Sequence, residues 1–95
     1  MEQSPYVVAF KATSMKTRMS IMEWLRDRDA IHVLADVWLL KLGQTNAGDI
    51  AHSIKQYDEF GAQLIVLRLN DSRTDWSFEG ISEQAGSWLR ENLQP

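Results

Sequence analysis

Two short segments of this chain are apolar on both faces of an extended backbone, and they set most of what it can become. Tyr6-Val7-Val8-Ala9-Phe10 follows Pro5, and Leu64-Ile65-Val66-Leu67 sits inside the run from Gln63 to Leu69. Neither alternates as a strand with one wet face would, so each reads as a sheet strand covered on at least one side by helices. The intervening sequence supplies that cover. Thr13-Ser14 can cap a helix running to about Arg28, with Met15, Met19, Met22, Ile21 and Leu25 in one arc and Lys16, Ser20, Glu23 and Asp27 opposite. Arg18 falls inside the apolar arc. It either snorkels from the first turn or lines a site at the end of the sheet, and snorkelling is expected.

From Ile31 to Leu42 the sequence again suits extended backbone, but Ala35-Asp36 is its weakest β-forming pair. A strand to Leu34, a tight turn and a second strand from Val37 are expected. Asn46 can cap a further helix, with Asp49 favourable to its dipole and Ile50, Ile54 and Tyr57 as its stripe. Phe60 and Gly61 lie just beyond it. Asn70 to Asp75 reads as a loop and Trp76-Ser77-Phe78 as a short extended piece. Ile81, Ala85, Trp88, Leu89 and Leu93 define a last helix over about 80–93.

The order strand, helix, strand, strand, helix, strand, helix fits one compact solution. That solution is an α+β, ferredoxin-like βαββαβ sheet with helices packed on one face, plus an added C-terminal helix. At 95 residues, with no internal repeat or linker, the expected unit is a single domain over 1–95. The absence of cysteine excludes disulfides, thiolate nucleophiles and cysteine zinc sites. A formal charge of −3 gives no global pull toward nucleic acid or anionic membrane. The sequence opens with neither a signal peptide nor a membrane-spanning stretch, so a cytoplasmic protein is expected.

Motifs for chemistry are sparse. Asp49 and His52 share a helical face but lack a third ligand, so a surface role is expected of them and no metal site is assigned. His32 and Asp36 would share one face of a regular strand and could form a His–carboxylate pair, with no nucleophile beside it. The stretch Gly80 to Gly86 has the wrong spacing for a nucleophile elbow, and Ser82 is better read as helix-start chemistry. Trp24, Trp38, Trp76 and Trp88 are expected in the core or an interface, because Trp76 and Trp88 stand among Asp75, Glu79, Glu83 and Glu91. Half of all Lys and Arg lie between Lys11 and Arg28, which makes Lys11, Lys16 and Arg18 the candidate contacts to a phosphate backbone. The interleaved acids favour a solvated, salt-bridged helix face there.

The segments Asp36-Val37-Trp38-Leu39-Leu40 and Leu64-Ile65-Val66-Leu67-Arg68-Leu69, with a tail carrying Trp76, Phe78 and Ser87-Trp88-Leu89, resemble a known group. It is the SinR-like short bacterial proteins, related in fold to the small CRISPR-associated, spacer-integrase-partner family and to VapD-like toxins. The resemblance implies a homodimer. In the CRISPR-associated relatives it also implies an Asp at the end of the first strand as ligand for a nuclease metal. Here Lys11 stands at that point, and a lysine cannot hold Mg²⁺, which needs oxygen ligands. The expectation is therefore a non-catalytic binding or assembly protein with no cofactor, its partner a second copy and further a protein or nucleic acid. A nuclease alternative would need Mg²⁺ or Mn²⁺ held by Asp36, Asp71 or Asp75, with Asp36 and Asp71 its candidate catalytic residues. The large apolar residues Trp38, Leu40 and Leu42 are the expected dimer surface.

Overall fold

The computed structural model describes residues 3–57, 63–69, 77 and 79–92. Its elements are β1 (Ser4–Lys11), α1 (Met15–Arg26), β2 (Ile31–Leu34), β3 (Val37–Leu42), α2 (Ala47–Lys55), β4 (Gln63–Arg68) and α3 (Glu83–Asn92). The strands form one four-stranded sheet in the order β2-β3-β1-β4. Every neighbouring pair is antiparallel. This is the ferredoxin-like arrangement with a helix added at its C-terminal side. Among the described residues, no helix is long and apolar enough to cross a membrane.

β1 lies between β3 and β4, which explains why its sequence is apolar on both faces. Tyr6, Val8 and Phe10 join Trp38 and Leu40 of β3 in the main core, closed by Ile21, Trp24 and Leu25 of α1 and Ile50 and Ile54 of α2. The intervening residues face the other way. There Leu39 meets Leu89 of α3, with Val7, Val33, Leu69, Ile81 and Trp88 packed around them. The first two helices thus share one face of the sheet, and the added helix covers part of the other.

Each helix begins where its capping chemistry allows. Ser14 accepts from the Thr17 amide at 3.2 Å while the Thr17 hydroxyl accepts from the Ser14 amide at 3.3 Å, a reciprocal capping box. The Asn46 side chain accepts from the Asp49 amide at 2.8 Å. Ser82 accepts from the Ala85 amide at 3.1 Å, the helix-start role read from its position. The expected break at Ala35-Asp36 is present: β2 stops at Leu34, β3 starts at Val37, and Ala35 takes a positive φ of 41°.

Three expectations are corrected. Met15 and Met19 are 65% and 61% exposed, and the buried arc of α1 is Ile21, Trp24 and Leu25. The helix is rotated so that its branched and aromatic side chains meet the sheet, leaving the first two methionines outside. Tyr57 is 42% exposed and lies outside the core formed by Ile50 and Ile54. Trp38 and Leu40, expected at a dimer surface, are 2% and 0% exposed, and Leu42 packs against the same cluster. The alternation of β3 turns all three toward α1 and α2, so the chain's own core consumes that face. Phe60, Gly61, the loop 70–75, Trp76, Phe78 and Leu93 lie outside the described residues.

Candidate functional site

The candidate site is the end of the sheet where β1 finishes at Lys11 and α1 begins. Lys11 is exposed there. The β2–β3 turn reaches the same end, because the Phe10 amide donates to the Asp36 carbonyl at 3.1 Å. From α1, Arg18 Nε donates to Asp36 Oδ1 at 2.9 Å. The two side chains are 33% and 25% exposed, so the pair is half-buried rather than sealed. Its Coulomb gain is screened accordingly and amounts to about 1 kcal/mol or less. The Arg18 side chain therefore does more than snorkel: it fastens α1 to the turn joining β2 and β3.

This geometry divides the candidate residues. Asp36 does not pair with His32. The imidazole Nε2 instead lies against the Ala35 carbonyl, and the ring stacks on Trp38 at 4.7 Å between centroids with 29° between planes. Arg26 adds its guanidinium 5.8 Å from the Trp38 ring centre. Trp38 is thus flanked by a histidine and an arginine, and among the described residues its buried Nε1–H has no acceptor.

Lys11, Lys16 and Arg18 occupy this end of the molecule but do not converge. Lys16 and Arg18 project about 160° apart around α1, because an α-helix turns about 100° per residue. Lys16 is exposed while Arg18 is turned to Asp36. Two lysines remain as cations available to an outside partner at this end.

Among the described residues, no group of three His, Asp or Glu side chains is placed to hold a metal ion. Asp49 is engaged by the Asn46 side-chain amide at 3.2 Å, and His52 is exposed one turn on. Asp71, the other catalytic candidate, lies outside the described residues, as does Asp75. The feature that sequence reasoning missed at this end is the Arg18–Asp36 pair. Its one signal was an arginine lying inside an apolar arc.

Two of the molecule's clefts lie at the opposite end. Arg28 stacks 3.8 Å above the Trp24 ring and donates to the Trp24 carbonyl at 3.0 Å. It lines two shallow clefts, of about 370 and about 250 Å³, which both also touch Leu42. Lys41 and Trp88 line the larger one, and Asp49 and Ser53 the smaller.

No protein-family model matches the chain, and no curated protein matches it in sequence. Among solved structures, it is similar to the crystal structure of a hypothetical protein, TT1823, from Thermus thermophilus. The superposition has a TM-score of 0.63 at 13% sequence identity and covers 84% of this chain and 99% of that one. Identity so low shows a shared fold alone.

Proposed function

We propose that the chain is a non-catalytic, homodimeric binding or assembly protein of the SinR-like type. The observation that carries this reading is the chemistry at the end of β1. Lys11 closes the strand where a metal-dependent nuclease of the related CRISPR-associated family would present a carboxylate. The nearby carboxylate of Asp36 is engaged by Arg18 at 2.9 Å. A cation and an acid already engaged by an arginine form a poor seat for a divalent ion, which needs oxygen ligands with charge to spare. The same residues suit a contact surface, since Lys11 and Lys16 are exposed and able to meet an acidic partner.

The competing reading is a metal-dependent endoribonuclease using Asp36 or Asp71. Purified protein incubated with RNA and Mg²⁺ or Mn²⁺, beside Asp36→Ala and Asp71→Ala, separates the two. The proposal expects intact RNA in every lane. Cleavage by the wild type that is lost in either variant contradicts it. Lys11 and Lys16 also support weak nucleic-acid binding without cleavage. Such binding would fall steeply as salt rises, as any phosphate contact does.

A further inference from the structure

The two edges of the sheet are treated differently. β2, at one edge, has only the residues Ile31–Leu34, is irregular between His32 and Leu34, and is followed at once by the left-handed Ala35. Short length and a bulge are the usual devices that stop an edge from pairing with another chain. β4, at the other edge, has none of them. It runs in unbroken register with β1 from Gln63 to Arg68 and contains neither proline nor lysine. Ile65 and Leu67 are 53% and 49% exposed on it.

The direction of its backbone groups follows from one bond. The Leu69 amide donates to the Pro5 carbonyl at 2.8 Å. Peptide groups alternate in direction along an antiparallel strand, so Gln63, Ile65 and Leu67 address β1. The amides and carbonyls of Leu64, Val66 and Arg68 point outward, and among the described residues no strand meets them.

We infer that the outer edge of β4 pairs antiparallel with β4 of a second copy, with Val66 opposite Val66 of the partner subunit. This rests on the homodimer reading above and names its surface. A two-fold axis perpendicular to the sheet keeps each face on its own side, so opposed residues share parity. Centring the axis on Val66 sets Leu64 against Arg68 of the partner subunit. Every outward amide of β4 then meets an outward carbonyl, and the reverse. On the face that α3 leaves open, Ile65 stands opposite the partner's Leu67. This is a non-hydrogen-bonded pair, the closer of the two kinds, and it buries the two most exposed apolar side chains of the strand. A parallel pairing about a two-fold axis along the strand would instead turn the two sheets' faces to opposite sides, so that Ile65 and Leu67 could not meet their counterparts. The strand is thus complementary to itself in a way that an unrelated peptide need not be.

Three preparations test this by light scattering and amide hydrogen exchange at micromolar concentration. Val66→Pro removes an outward donor and leaves the bonds to β1 in place. Ile65→Lys with Leu67→Lys places charge at positions exposed in a single chain, and it serves where the proline variant fails to fold. Ile65→Cys with Leu67→Cys probes the register directly, against a background with no native cysteine. The wild type is expected to be a dimer with a protected Val66 amide. The proline or double-lysine variant should dissociate at least tenfold more readily, and the double cysteine should crosslink on oxidation while Ile65→Cys alone does not. A dimer that survives both substitutions overturns the inference and leaves the homodimer reading intact. A monomer with an unprotected Val66 amide overturns both. A monomer with a protected Val66 amide also overturns both, and identifies another segment of the same chain as the strand's cover.

Discussion

Arg18 and Asp36 are eighteen positions apart in sequence and 2.9 Å apart in the fold. Their pairing carries little energy, because both side chains keep part of their solvent. It carries information about chemistry, because it engages one of the two acids proposed for a catalytic role. A double-mutant cycle with Arg18→Ala and Asp36→Ala, read by urea denaturation, should give a coupling of about 1 kcal/mol or less. A coupling above about 3 kcal/mol would mean that the pair is desolvated like a buried one. Single residues in the core behave differently. Leu40 is fully buried, so Leu40→Ala should cost about 2–5 kcal/mol, whereas Met19→Ala, at an exposed position, should stay within about 0.5 kcal/mol. Equal losses at the two positions would contradict the rotation of α1 described above. None of these outcomes was readable from residue identity alone. Met15 and Met19 are apolar like the residues that are buried, and nothing local links position 18 to position 36.

Elements were more legible than their orientations. The two-sided strands Tyr6 to Phe10 and Leu64 to Leu67 announced themselves because β1 is central and β4 needs cover from α2 on one side. The turn between β2 and β3 was visible because Ala and Asp are poor strand formers. The face that β3 presents to the helices was not visible. Val37 and Leu39 are apolar on one side and Trp38, Leu40 and Leu42 on the other, so alternation gives no preferred inside. Only the packing of α1 and α2 decides it, and that decision buried Trp38 and Leu40 and left Leu42 partly buried against the same cluster. The same turn carries a prediction of its own. Ala35 has φ of 41°, a left-handed conformation that costs an L-residue roughly 1–2 kcal/mol and glycine almost nothing. Ala35→Gly should therefore raise stability by up to about 1 kcal/mol, with the gain read from the urea midpoint at unchanged slope. A loss of stability would show that the alanine methyl group contributes packing that outweighs its strain.

At the scale of the whole molecule, α1 and α2 seal one face of the sheet and α3 covers part of the other. Among the described residues, the β4 edge with Ile65 and Leu67 stays open, beside an end carrying the exposed Lys11 and Lys16. A molecule with that surface is suited to assemble and to bind, which is the function proposed. The most direct measurement is the mass of the unmodified protein in solution, by light scattering across the micromolar range. The account predicts the mass of two 10.9 kDa chains. A mass of 10.9 kDa at every concentration would contradict it.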